Sequence, residues 1–173
     1  MHVFVTGERG VGKSTTINRA ITKLALEPAG FVTEKGPVAA DGYFEVVIKP
    51  AAKRNQPNLP TEIDRVGSCC HGNWQGFPET FDRLGVEILN DSLSASLLLM
   101  DEIGFMESKA DKFQTKILDI LAADTPVLGV IKPKFSNDFL NAIRSHPKVT
   151  LLELKPGGWD DVLQKILANI VIK

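Results

Sequence analysis

"TGERGVGKSTT", residues 6–16, is the stretch on which the reading of this chain turns. Gly7, four further residues and then Gly12-Lys13-Ser14 fit G-x-x-x-x-G-K-[ST], the Walker A spacing. The spacing has a mechanical reason. Glycine lets the backbone turn tightly, so that successive N–H groups point inward at phosphate oxygens. The residues that make up the cradle are Gly7, Glu8, Arg9, Gly10, Val11 and Gly12. A helix beginning near Lys13 adds its positive dipole end. The Lys13 ammonium reaches toward the β- and γ-phosphates, the Ser14 hydroxyl is placed to ligate Mg²⁺, and Thr15 is placed for the α-phosphate. Such a loop needs a strand before it and a helix after it. Both are written in the sequence. Residues 2–6 read as a buried strand, and Ile17, Ala20, Ile21 and Leu24 recur at helical spacing over 13–25.

A triphosphate site also needs a carboxylate at the end of a neighbouring strand. "ASLLLMD", residues 95–101, is a continuous apolar run ending in an acid, the pattern of a strand buried on both faces of a parallel sheet. Asp101 should therefore emerge at the carboxyl edge, where ligands of open α/β sheets gather, and serve the Mg²⁺ shell. Its plainer role would be to cap the next helix. Glu102 follows directly and can face the γ-phosphate. A carboxylate there orients or deprotonates an attacking water, which favours hydrolysis over transfer to another hydroxyl. The bland alternative is an exposed glutamate in a helix N-terminal turn.

The remaining chain alternates in the same way. Helices are expected over 78–90, 106–123, 137–145 and the C-terminal stretch carrying Trp159 to Ile170, with strands over 126–131 and 149–154. Alternation of this kind implies βαβ units and a mostly parallel central sheet flanked by helices on both faces. Residues 27–68 differ. Pro and Gly punctuate "GFVTEKG" and "YFEVVIKP", with "ADG" as the turn between them, so a β-rich insertion in a hairpin or meander is expected inside one domain spanning 1–173. "AAKRNQPNLPTE", residues 51–62, reads as an exposed, mobile loop.

Composition narrows the partners. The 173 residues carry 20 Lys+Arg against 21 Asp+Glu, a net charge of −1 that offers no bulk attraction to nucleic acid or an anionic membrane. Lys132 and Lys134 form a small local basic group, read as a solvated loop. The two cysteines, Cys69 and Cys70, are adjacent, which suits neither a disulfide scaffold nor, with His71, a metal cage. The apolar run before the glycine loop is too short for a signal peptide, and no stretch reaches membrane-spanning length, so a cytoplasmic location is expected.

"GERGVGKST", "GFVTE", "FPETFDRLG" and above all "DEIGFME" resemble the small P-loop nucleoside-triphosphatase family, the thermophile-type and cancer-related nucleoside-triphosphatases also labelled nucleotide kinases. The likeness runs through most of the chain in order, strongest at 6–16 and 99–107 and weak across 37–68. It implies a RecA-like P-loop fold and slow, Mg²⁺-dependent hydrolysis of ATP, GTP and other nucleoside triphosphates. Two departures stand out. The family's usual Lys-Met-Glu after the DEIG glycine is here Phe105-Met106-Glu107. The Asn-Arg pair often found after the last core strand, near the base, is replaced by "LKPGGWDD", which leaves the preferred base open.

Two other functions compete. A nucleotide or small-molecule kinase would need a lid of arginines, for which Arg54 and Arg65 are placed; the plain alternative for both is a solvated loop, the simpler reading for Arg54. A GTP-dependent switch is suggested by D-x-x-G in "DEIG", but "SKAD" (108–111) follows the wrong strand to read guanine. With no arginine finger apparent, a protein partner could supply one. Trp159 is either a core aromatic or, less in keeping with its helical spacing with Val162 and Leu163, a base-stacking one.

Overall fold

The computed structural model describes residues 1–57, 60–134 and 136–170. Its strands are β1 (His2–Thr6), β2 (Ala29–Lys35), β3 (Phe44–Pro50), β4 (Arg65–Cys70), β5 (Asn73–Gly76), β6 (Leu98–Ile103), β7 (Val127–Ile131) and β8 (Val149–Glu153). Its helices are α1 (Lys13–Leu24), α2 (Pro78–Thr80), α3 (Val86–Asp91), α4 (Asp111–Ala122), α5 (Asp138–Ser145) and α6 (Trp159–Asn169). A π-helical stretch, Phe81–Gly85, joins α2 to α3.

All eight strands join one sheet in the order β5-β4-β3-β2-β6-β7-β1-β8. From β2 to β8 the neighbours are parallel. β2, β3, β4 and β5 are paired antiparallel in sequence, a meander on one edge. The β-rich stretch expected at 27–68 is thus partitioned differently. β2 belongs to the parallel core, because it pairs with β6 from Ala29↔Leu98 to Val32↔Asp101. The meander also runs on to Gly76 through β5, whose four positions are all exposed and carry no apolar alternation to announce a strand. The 51–62 stretch opens with a 3-10 turn at Ala51–Lys53, and Ala51 is fully buried. Asn58 and Leu59 lie outside the described residues.

The sheet is covered on both faces, as the apolar runs demand. Side chains alternate along a strand. Along β6, Leu98 and Met100 enter one core with Phe31, Phe81 and Phe113, whereas Leu99 enters the other with Val3, Val5, Ile17 and Ile166. The first core packs under α3, α4 and α5, the second under α1 and α6. Cys69 and Cys70 are free thiols at the end of β4, ahead of a turn in which His71 is left-handed with φ 49°. Among the described residues no helix is long and apolar enough to cross a membrane.

The helix expected over 106–123 begins only at Asp111. Residues 104–110 instead form a turn organised by Glu107. Its carboxylate accepts the Gly104 N–H at 3.1 Å, its carbonyl accepts the Ala110 N–H at 2.9 Å, and Gln114 Nε2 donates to the same carbonyl at 2.6 Å. The N-terminus of α4 has no cap of its own; Asp82 Oδ1, from the π-helical stretch, accepts the Phe113 N–H at 2.9 Å. Helical spacing alone could not reveal a turn held by a buried acid.

Burial raises the Glu107 carboxyl from its ordinary 4.5 to about 7; the N–H bonds and nearby Lys132 act against the rise, and Glu102 adds to it. Its Oε1 is buried with no hydrogen-bond partner. Between those two pH values the folded chain keeps a proton that the unfolded chain releases. Stability should therefore fall as pH rises from about 4.5 to about 7, by a total on the order of 3 kcal/mol. Urea unfolding of wild type and Glu107→Gln across this range should show the difference: the variant lacks this slope. Parallel profiles for the two proteins would remove the buried proton.

Candidate functional site

The 6–16 stretch folds as its spacing requires. The chain leaves β1, turns through Gly7–Gly12 and enters α1 at Lys13. Two glycines are obligatory there. Gly7 has φ 145°, and a Cβ would lie 2.4 Å from the Leu154 carbonyl oxygen. Gly12 caps α1 with φ 99°, and a Cβ would lie 3.0 Å from Trp159 Nε1. Lys13 Nζ folds back onto the loop, donating to the Gly7 carbonyl at 2.8 Å and the Glu8 carbonyl at 3.0 Å. Glu8 is tied to Lys134 at 3.2 Å. Gly7, Glu8, Arg9, Gly10, Gly12, Lys13, Ser14 and Thr15 line one pocket of about 670 Å³; Val11 stands behind them.

Trp159 does not sit in the core; it supports the loop. It is 43% exposed at the first turn of α6, and its indole N–H donates to the Val11 carbonyl at 2.7 Å. It braces the loop from behind. The signal was present in "GGWDD", but only the pairing of β8 beside β1 reveals which carbonyl the indole meets.

Asp101 and Glu102 lie within β6, which extends to Ile103. Their peptide bond is cis. Ser14 and Asp101 line one pocket, and the Ser14 hydroxyl is near enough to the Asp101 carboxylate to favour its charged form, so two distant stretches of the chain meet. Burial pushes Asp101 up to about 6; the Ser14 hydroxyl and Lys13 draw it down, while Glu102 and Glu34 push it further up. Glu102 forms an ion pair with Lys132 at 3.2 Å. Its backbone is pinned by Thr33, whose Oγ1 accepts the Glu102 N–H at 3.1 Å. Ser14, Thr33, Glu34, Asp101, Glu102 and Arg54 line a second, polar pocket of about 270 Å³ that adjoins the loop pocket.

Several of these residues were not singled out by sequence. Glu34 and Thr33 sit at the end of β2, and "GFVTE" carried only the resemblance, not a role. Lys132, expected as a solvated loop lysine, has a side chain only 22% exposed and holds Glu102. Its ammonium also lies 4.9 Å over the Phe105 ring, so a cation from the end of β7 stands beside the position where the family's lysine is missing. Arg54 is likewise not a solvated loop residue. Its side chain is 15% exposed, Nη1 donates to the Ala51 carbonyl at 3.2 Å, and Nε is buried with no partner. Arg65 is held away from the loop by Glu45 at 2.7 Å and by the Phe77 ring. "SKAD" falls in the turn before α4 and its start, with Ala110 fully buried.

The donor set suits a hard divalent cation. Among the described residues no three His, Cys, Asp or Glu side chains form an all-protein cage. Mg²⁺ in triphosphate sites does not use one; it takes one or two protein oxygens, phosphates and water. A buried carboxylate near a serine hydroxyl, with two further acids close by, offers those oxygens and is short of positive charge.

Comparison with known proteins identifies the family and the fold. A family model described as NTPase matches residues 2–167. Nucleoside-triphosphatase THEP1 of Methanocaldococcus jannaschii is 27% identical, covering 98% of this chain and 99% of its own length. That of Thermotoga maritima is 26% identical over 97% of this chain and 94% of its own. The crystal structure of THEP1 from Aquifex aeolicus superposes with a TM-score of 0.73 at 23% identity, covering 98% of this chain and 99% of that one. The solution structure of a human cancer-related nucleoside triphosphatase does so with 0.64 at 26% identity, covering 96% and 95%. A loop built for phosphates, acids gathered at its open side and a match that spans the chain nearly end to end lead to one conclusion: this protein belongs to the NTPase family and is a nucleoside-triphosphatase.

Proposed function

We propose that the chain hydrolyses Mg²⁺-bound nucleoside triphosphates to the diphosphate and phosphate, with ATP and GTP among its substrates. The observation that carries this reading is that Ser14, Asp101 and Glu102 line one pocket beside the Lys13 loop. Loop N–H groups from 7 to 15 receive the phosphate oxygens, and Thr15 serves the α-phosphate. Lys13 exchanges its two loop carbonyls for oxygens of the β–γ bridge. Ser14 and Asp101 are the residues that would hold Mg²⁺. Mg²⁺, when bound, supplies charge neutralisation across the β- and γ-phosphates.

Glu102 prepares the attacking water. Its backbone is fixed by Thr33 and its carboxylate is held by Lys132, so that the group is aimed before substrate arrives. Lys132 keeps that carboxylate from wandering; a water in the cleft then has an acceptor at a fixed place. An activating arginine from a protein partner remains one way to raise turnover, and Arg54 gives the cleft a guanidinium of its own. Hydrolysis is favoured over the switch reading because "SKAD", the candidate guanine-reading motif, falls in the turn leading into α4 with Ala110 buried.

The test is phosphate release from ATP, GTP, CTP and UTP by purified protein, with Mg²⁺ and then with excess EDTA. Equal amounts of diphosphate and phosphate are expected with Mg²⁺, and release should cease in EDTA. Undiminished release in EDTA would contradict the metal assignment.

A further inference from the structure

The loop occupies only one wall of the 670 Å³ pocket; the opposite wall is aromatic and basic. Phe44 comes from β3, Trp74 from β5 and Phe105 from the turn after β6. Trp74 meets the other two edge-on, with ring centroids 5.5 Å from Phe44 and 5.3 Å from Phe105 and interplanar angles of 83° and 84°. Two ammonium groups lie over these rings. Lys35 Nζ is 3.8 Å from the Phe44 centroid; Lys132 Nζ is 4.9 Å from that of Phe105 and 5.7 Å from that of Trp74. Lys132 is paired to Glu102, whereas Lys35 has no carboxylate within ion-pair distance among the described residues.

A small satellite core would bury its largest ring. Trp74 is instead 43% exposed, on an end strand whose other residues all face solvent. Nor does the wall suit the nucleoside of the triphosphate. With Thr15 at the α-phosphate and Glu102 at the γ-phosphate, Lys132, which pairs with Glu102, and Phe105 beneath it belong to the γ-phosphate end of the pocket. This orientation rests on the function proposed above.

We propose that the wall formed by Phe44, Trp74 and Phe105, with Lys35 and Lys132, is a second small-molecule site next to the terminal phosphate, for a flat aromatic ligand bearing a phosphate or carboxylate. The rings supply stacking and edge contacts to a π-system. The lysines supply charge to an anion, and their setting over aromatic faces keeps them in place without consuming their hydrogen-bond donors. The site is continuous with the loop pocket, so its occupant and the γ-phosphate share one chamber.

The experiment uses the full chain saturated with Mg²⁺ and a non-hydrolysable ATP analogue, AMPPNP. Naphthyl phosphate is the probe, followed by calorimetry and by tryptophan fluorescence. One-to-one saturable binding is expected. Glycerol phosphate, which lacks the ring, and naphthol, which lacks the anion, should bind at least about tenfold more weakly. Trp74→Ala and Lys35→Ala should each weaken the probe about tenfold, with AMPPNP affinity changed less than about twofold. Both positions are exposed, and a thermal melt of each variant confirms its fold. Absence of saturable binding, or probe affinity unchanged in both variants, overturns the proposal. So does a tenfold loss of AMPPNP affinity in Trp74→Ala, which would give the wall to the nucleoside. AMPPNP failing to bind wild type is read before any probe is added, and would overturn the triphosphate reading itself together with the site that rests on it.

Discussion

Glu102→Gln is expected to keep Mg·ATP bound while phosphate release falls roughly a hundred- to ten-thousandfold, the range for loss of a positioned general base. The amide is nearly the same size and can still accept from Lys132 at the position now occupied by the 3.2 Å ion pair. Thr33 fixes the residue through its backbone, which the substitution does not touch. What disappears is the negative charge that draws a proton from water. The loss should therefore appear in kcat, with KM for ATP little changed. A merely structural role would move both, or show itself in the melting temperature. Phosphate release at the wild-type rate would take Glu102 out of the chemistry and turn attention to Glu34, which lines the same polar pocket.

Lys13→Ala should act one step earlier, on binding. The ammonium makes two hydrogen bonds to loop carbonyls, both of which the solvent can replace in part, since one is exposed and the other half-buried. The fold should survive. Bound to a triphosphate, the same group makes charge-assisted bonds in the shelter of the loop, worth about 1.5–3 kcal/mol each. Calorimetry with Mg·AMPPNP should show affinity reduced by roughly one to two orders of magnitude. Wild-type affinity in this variant would mean that the phosphates lie elsewhere.

The parts of the protein that could be read from sequence are those whose physics is local. The loop is legible because glycine, lysine and serine at fixed spacing meet a backbone requirement, and the structure places Gly7 and Gly12 at left-handed or extended-positive φ where a Cβ would clash. The core strand before Asp101 is legible because burial on both faces leaves a run of apolar residues. Features that depend on distant contacts were not legible. β5 has no apolar alternation, since neither of its faces is buried, and it exists because β4 offers it an edge. The start of α4 was misplaced because Met106 and Ala110 carry helical spacing while being held in a turn by the buried Glu107.

The same division holds within the cleft. Asp101 and Glu102 announce themselves as acids at the end of an apolar strand. Lys132 and Arg54 do not, because nothing local distinguishes a lysine or arginine that folds inward from one that faces water. The strand order puts β7 between β1 and β6, and so delivers Lys132 to Glu102. The 3-10 turn after β3 delivers Arg54 to the polar pocket beside Ser14. Lys132 lies where the sequence suggested a solvated loop, and Arg54 where it offered a lid arginine only as the less simple reading.

Crystals of Glu102→Gln grown with Mg·ATP give the most direct view of whether loop and acids serve one triphosphate. Density should show the Lys13 ammonium moved from the Gly7 and Glu8 carbonyls to phosphate oxygens, the Ser14 oxygen on the metal, and Asp101 in its water shell. ATP bound elsewhere, or bound at the loop with the metal away from Ser14 and Asp101, would contradict the whole arrangement.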